Sequence, residues 1–284
     1  MTLRSYAELM KLRIGLMVAL MAVMGYVAVA PHIDARALAL LAVAMLLGSA
    51  SSSVFNHYYD RDIDRIMVRT QRRPLANGTN ANPARVLWFA AFLLAAGCGL
   101  AMLYFNALVA MHLFLGAFFY AIVYTVWLKR RHWMNIVIGG AAGSFAVLAG
   151  GAAVNPAHWL LPFLLSVTLF LWTPSHFWAL AILLKDDYAK ASVPMLPVVK
   201  GVPATARYIF INTILLVGST LLPLAFGLLG WAYGAGAIGL GAWFTWDCWR
   251  LLRNPDRLPA RKVFFASMIY LVGLFIAVLV DVNL

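Results

Sequence analysis

Asn56, Asp60 and Asp64 recur at four-residue intervals in the stretch Asn56-His57-Tyr58-Tyr59-Asp60-Arg61-Asp62-Ile63-Asp64. On an α-helix that spacing puts three oxygen-bearing side chains on one face. The whole chain has only 10 acidic residues, and three of them fall within five positions here. Carboxylate and amide oxygens on a single stripe suit a hard cation such as Mg2+. A solvated helix end with scattered charges would need no such stripe. Asp62 is turned about 200° from Asp60 and falls off it; His57 stands beside the stripe and points away from it. A second acidic pair, Asp186-Asp187, lies between Lys185 and Tyr188. Arg69, Arg72 and Arg73 follow the first cluster, and Lys185 and Lys190 flank the second. Bare carboxylates would repel a diphosphate, but Mg2+ bridging carboxylate and phosphate oxygens removes that conflict. The basic side chains are then free to pair with the remaining phosphate oxygens.

These residues must be carried by membrane helices. Hydrophobic residues make up 64% of the 284 and charged residues 11%, which excludes an ordinary soluble domain and marks a polytopic membrane protein. Apolar runs near 14–30, 37–57, 86–104, 107–127, 135–154, 159–183, 206–227, 229–249 and 263–281 predict an all-α bundle of nine transmembrane helices. With the N-terminus cytoplasmic and the C-terminus outside, segments 1–13, 58–85, 128–134, 184–205 and 250–262 face the cytoplasm. They hold every Lys and Arg except Arg36 and Arg207, the latter just past a segment edge. The formal charge of +12 is therefore a topology signal, and no nucleic-acid partner is expected. Met1–Arg13 reads as the flank of an uncleaved first span. Both acidic clusters end up on the cytoplasmic side, after the second and sixth helices. Helices 1–4 and 5–8 are accordingly expected to form a pseudo-repeat, with a ninth helix added, in one domain over 1–284. A diphosphate whose site opens into such a bundle is expected to carry a lipid tail.

Other residues allow two readings each. His176, inside the apolar run Leu160–Leu184, is either a functional residue or a satisfied structural histidine. Asn135 either caps the fifth helix or contacts substrate. Gly139, Gly140 and Gly143 suit close helix packing better than phosphate binding, since no strand precedes them. Trp127, Trp133, Trp159, Trp172 and Trp178 fall near span ends, as interfacial or packing residues do. Cys98 and Cys248 have no metal-ligand spacing, and no disulfide is expected.

Asn56-x-x-x-Asp60-x-x-x-Asp64, followed by Arg69-Thr70-Gln71-Arg72-Arg73-Pro74-Leu75, resembles the first signature of the UbiA-type intramembrane prenyltransferases. Three further segments narrow the resemblance to that family's haem-directed branch. They are Tyr124–Arg131 leading to Asn135–Gly143, Trp172–Ala181, and Lys185-Asp186-Asp187-Tyr188 running to Val193–Val199. The similarity covers roughly residues 5–280. Where other branches carry a second D-x-x-x-D ending at the position of Asp187, this chain has Leu183 as the first member, which leaves the metal count open.

The resemblance implies transfer of a farnesyl group from farnesyl diphosphate, with addition of water, to the 2-vinyl group of protohaem IX, giving haem O. It implies Mg2+ held by Asn56, Asp60, Asp64, Asp186 and Asp187, and catalytic roles for Asp60, Asp64, Lys185 and Asp187. Arg69, Arg73, Lys185, Tyr188, His176 and Asn135 would bind substrate. Tyr58, Tyr59, Phe177 and Tyr188 are candidates to stabilise an allylic cation. The implied location is the inner membrane, amid membrane lipid, with the site near the cytoplasmic face. A haem A synthase or a haem-copper oxidase assembly protein is the implied partner. The alternatives are an aromatic quinone precursor as acceptor, a secondary transporter, or a non-catalytic assembly factor. Transporters place coupling residues near the midplane, whereas these clusters sit at the edge.

Overall fold

The computed structural model describes residues 2–77 and 82–284, and every regular element among them is helical. Residues 78–81 of the expected cytoplasmic segment 58–85 lie outside the described residues. The chain begins with α1 (Leu3–Met10) and α2 (Leu12–Val27), bent by 44° where Lys11 takes a left-handed conformation with φ 47°. Then come α3 (Ala35–Tyr59), α4 (Arg61–Ile66), α5 (Pro83–Tyr104) and α6 (Ala107–Phe118). α6 runs directly into π-helical turns over Phe119–Leu128. The remainder is α7 (Asn135–Gly139), α8 (Ala141–Val154), α9 (Leu160–Leu183), α10 (Lys185–Lys190), α11 (Leu196–Val199), α12 (Gly201–Thr220), α13 (Leu222–Ala225), α14 (Trp231–Arg253) and α15 (Arg257–Asp281).

Local chemistry sets several helix starts. Asp34 accepts from the amides of Arg36 and Ala37 to cap α3, and Asn106 accepts from Leu108 and Val109 to cap α6. Asn82 caps α5, with Pro83 at its first position, where a missing N–H costs nothing.

Among the described residues seven helices are long and apolar enough to cross a membrane, or eight if the bent α1–α2 pair is one span. This is a multi-pass membrane protein. Seven of the nine expected spans fall on those seven helices, and 14–30 falls on α2. The span expected at 229–249 falls on α14, which is 23 residues long but less apolar, because glycines, tryptophans and Asp247 interrupt it.

The helices pack as two groups. In one, α2, α3, α5, α6 and α8 follow one another and α8 returns to α2; in the other, α9, α12, α14 and α15 close a second ring. α8 against α9 joins them. Lipid tails are as apolar as leucine, so close backbone approach and hydrogen bonds must hold such a bundle. At the α2–α8 crossing a Cβ on Gly25 would stand 2.1 Å from the Val147 carbonyl oxygen, and one on Gly150 would stand 1.9 Å from that of Ala22. Only glycine permits that contact. Gly139 and Gly140 pack tightly against Tyr124 and Thr173, as expected, while Gly143 has ordinary room. Polar pairs sit within the second group: Ser175 bonds Thr213 at 3.0 Å, and Tyr233 donates to the Thr220 carbonyl at 2.8 Å. Asp281, at the end of α15, accepts from the amides of Gly230 and Tyr233 and so caps α14.

Candidate active site at the α3–α4 junction

The stripe crosses a joint between two helices. α3 ends at Tyr59 and α4 begins at Arg61, yet the backbone bonds Asp60 N to Asn56 O (2.9 Å) and Asp64 N to Asp60 O (2.8 Å) both persist. The i, i+4 register therefore survives, and Asn56, Asp60 and Asp64 are all buried.

Each member of the stripe holds a basic side chain brought from a different part of the chain. Lys11 Nζ donates to Asn56 Oδ1 at 2.8 Å from the α1–α2 bend. Lys129 Nζ donates to Asp60 Oδ2 from the end of the π-helical turns. Arg73 Nη1, from the loop after α4, donates to both Asp64 oxygens at 3.0 and 2.8 Å. Asn56 Nδ2 donates in turn to Asp60 Oδ2 (2.7 Å) and Thr125 Oγ1 (3.1 Å), which fixes the orientation of its amide. The π-helical turns have a positioning role here. Their wider spacing, with Lys129 N bonded back to Tyr124 O, presents Thr125 and Lys129 toward α3 and stacks Tyr120 on Tyr124 at 5.6 Å.

Arg130 sits across Asp60 from Lys129. It reaches Asp60 Oδ1 at 3.4 Å and grips Asp62 with two bonds of 2.6 Å. Those bonds hold the Asp62 carboxyl below the usual carboxylate range. Asp62 is thus off the stripe, as its angle predicts.

The second cluster contributes in part. Asp187 Oδ2 accepts from the backbone amide of Arg69 at 3.5 Å, tying α10 to the loop after α4. Tyr188 lies against Arg69; burial pushes its hydroxyl up, and Arg69 opposes that shift. Lys185 is half-buried and forms no hydrogen bond or ion pair with a described residue. Asp186, expected as a metal ligand, is not brought to the stripe. Neighbouring residues on a helix diverge by about 100°, so while Asp187 turns inward Asp186 turns out, 80% exposed and 3.9 Å from Arg257.

Several other expected residues are placed elsewhere. His176 is packed between Trp172 (4.3 Å) and Phe264 (4.6 Å), with Nδ1 on Ser267 Oγ at 2.7 Å. Asn135 does not cap a helix: it is the first residue of α7, buried, and donates to the Lys129 carbonyl at 3.3 Å. It therefore supports the loop that carries Lys129. Arg61 lies over one face of the Tyr58 ring at 4.4 Å and Arg130 over one face of the Tyr59 ring at 4.9 Å. Phe177 is partly exposed and packs edge-on to His176. His57 is buried with neither ring nitrogen partnered. Sequence reasoning missed Lys11, Lys129, Thr125 and the Tyr120–Tyr124 stack. A lysine just ahead of an apolar run and a lysine ending one look like topology signals, and only tertiary approach separates them from the others.

The donor set can be tested against Mg2+. Among the described residues no three His, Cys, Asp or Glu side chains form a metal-holding group. Mg2+, however, is commonly bound through one or two carboxylates, with phosphate and water completing its octahedron. Two carboxylates and an amide oxygen fit that pattern when a diphosphate shares the ion.

The sequence profile of the UbiA prenyltransferase family matches residues 14–272. The chain belongs to that family. Its UbiA relatives include protoheme IX farnesyltransferase 1 of Paramagnetospirillum magneticum, 58% identical over 281 residues and covering 99% of each chain. Protoheme IX farnesyltransferase of Alkalilimnicola ehrlichii is 44% identical, over 98% of this chain and 92% of its own. Among solved UbiA-like folds, a digeranylgeranylglyceryl phosphate synthase superposes with TM-score 0.82 at 22% identity, over 99% and 98% of the two chains. A UbiA homologue from Archaeoglobus fulgidus, bound to GPP and Mg2+, gives TM-score 0.73 at 15% identity over 96% and 99%.

Proposed function

We propose that this chain transfers the farnesyl group of farnesyl diphosphate, with addition of water, to the 2-vinyl group of protohaem IX, giving haem O and diphosphate. The observation that carries this reading is the 58% identity, over 99% of both chains, to a protein named for that transfer. The buried stripe supports it: acidic oxygens and three basic side chains together suit a departing polyanion held with a divalent cation.

The residues divide the work as follows. Asn56, Asp60 and Asp64 would hold Mg2+, with Asp187, tied to the Arg69 amide, as a further carboxylate. Bound there, the ion supplies Lewis-acid charge that weakens the bond between farnesyl C1 and the diphosphate oxygen. Lys11, Lys129, Arg73 and Arg69 take the non-bridging phosphate oxygens, with Lys185 at the rim. As the C1–O bond breaks, its electron pair leaves with the diphosphate, whose charge these cations receive. The vinyl π pair forms the new carbon–carbon bond to C1, and water adds to the resulting carbocation and loses a proton. Tyr120, Tyr124 and Tyr188 border the site with aromatic faces.

The wider proposals rest on the same reading. Nine spans are proposed in a single domain over 1–284, N-terminus cytoplasmic and C-terminus outside, in the inner membrane, with the site at the cytoplasmic face. α14 is the less apolar eighth span, and the repeated neighbour order (α2–α3–α5–α6, then α8–α9–α12–α14) supports the pseudo-repeat. A haem A synthase or haem-copper oxidase assembly protein is the proposed recipient of product. The test incubates purified protein with Mg2+, farnesyl diphosphate and either protohaem or 4-hydroxybenzoate, read by mass spectrometry. Haem heavier by one farnesyl and one water is the expected product. Prenylated benzoate beside unchanged haem would keep the fold but overturn the acceptor.

A further inference from the structure

A concavity lies beside the stripe, joined to Asp60 through Arg130. It encloses about 490 Å³ and is lined by Tyr58, Tyr59, Arg61, Asp62, Arg65 and Arg130. Three guanidiniums thus face one carboxylate. A topology rule explains why arginines lie at this end of the bundle, but not why three of them line one hollow.

Each guanidinium is anchored through a single nitrogen to a backbone carbonyl. Arg61 donates to Tyr58 O at 2.6 Å, Arg65 Nε to Ala76 O at 3.2 Å, and Arg130 to Tyr59 O at 2.8 Å. Two are also laid over aromatic rings, Arg61 at 4.4 Å from Tyr58 and Arg130 at 4.9 Å from Tyr59. A guanidinium has five donors in a fixed fork. Arg61 and Arg65 therefore keep most of theirs, already oriented, and the Nε of Arg130 is buried without a partner. Pre-positioned forks match the planar oxygens of a carboxylate or phosphate. Ile66 and Val68, which follow Arg65 in the chain, and Trp127, three residues before Arg130, are exposed apolar side chains.

We propose that this hollow is an oxyanion site that holds the charged end of an amphiphile, through Arg61 and Arg65 with Arg130 as its inner wall. Carboxylate and phosphate share this chemistry, so a porphyrin propionate and an anionic lipid headgroup are its two sources. The propionate source rests on the acceptor proposed above; the lipid source does not. Because Arg130 also touches Asp60, an anion here abuts the stripe.

The test uses the full chain in nanodiscs of zwitterionic lipid. Fluorescence follows binding of metal-free mesoporphyrin IX and of its dimethyl ester, and native mass spectrometry follows retention of phosphatidylglycerol over phosphatidylcholine. The parent is expected to prefer the diacid porphyrin, or to retain the anionic lipid, by about tenfold, the weight of one charge-assisted hydrogen bond. Arg61→Gln/Arg65→Gln should erase that preference while farnesyl thiodiphosphate binding, which reports the intact stripe, stays as in the parent. Arg61→Lys/Arg65→Lys, which keeps charge but not the fork, should retain only part of it. Loss of the diacid preference identifies the propionate; loss of lipid retention alone identifies the headgroup. Lipid retention with no binding of either porphyrin would sink the acceptor reading and leave the site standing. A parent with neither preference, or a double Gln variant that keeps both, overturns the proposal.

Discussion

Replacing Asp60 with Asn removes one charge and almost no volume, so its effect can be worked from the burial of its partner. Asp60 is fully buried, and Lys129, bonded to it, is 9% exposed. Breaking a buried pair by removing one member leaves the other charge uncompensated, at a cost of about 3–5 kcal/mol. An Asn carbonyl still accepts from Lys129 and Asn56, so about 3 kcal/mol, the lower end of that range, is expected. Unfolding by SDS in mixed micelles should register that loss for Asp60→Asn. Adding Lys129→Met removes the stranded charge, so the double variant should recover most of the stability. Turnover should be absent in both, because neither has the negative charge that Asp60 would offer a divalent cation. An Asp60→Asn protein as stable as the parent would refute the reasoning, as would a double variant no better than the single one. Either result would mean that the ion pair does not neutralise the stripe.

Lys11→Met should raise the donor KM by about tenfold or more, the loss of one hydrogen bond to an ionised group, as steady-state assays would read. Asp62→Asn should leave turnover close to the parent's while Asp64→Asn abolishes it, since only Asp64 lies on the buried face. Chelation with EDTA should stop the reaction, and added Mg2+ should restore it. Gly150→Val must push the Ala22 carbonyl away from a contact of 1.9 Å; a loss on the order of 3 kcal/mol in SDS unfolding is expected from such overpacking.

What could be read from the sequence follows the range of each interaction. Spans and the Asn56–Asp60–Asp64 stripe depend on spacing within one helix, and they were legible at that level. The partners of the stripe were not: Lys11 and Lys129 meet it across 45 and 69 residues of chain. Nothing local distinguishes them from lysines that only mark a cytoplasmic segment. Asp186 and Asp187 show the opposite limit, because adjacent residues of one type part company on the direction of a single short helix. His176 stands out in the sequence as polar among leucines, but its Nδ1 partner Ser267, 91 residues away, could not be read there. The π-helical turns were hidden too, since Phe119–Leu128 reads as one more apolar stretch.

The cap that Asp281 places on α14 bears on how the chain is made. α14 is the long helix that falls short in apolarity, whereas α15, three residues later, has the highest mean hydropathy of the candidate spans, 2.7. A segment that partitions poorly alone can enter the bilayer beside one that partitions well. Asp281 then meets the open amides of Gly230 and Tyr233 only when the two lie side by side. During synthesis α14 would thus be held back until α15 has emerged, and the pair would enter as a hairpin. A ribosome stalled before α15 should leave α14 accessible to water-soluble thiol reagents at Cys248.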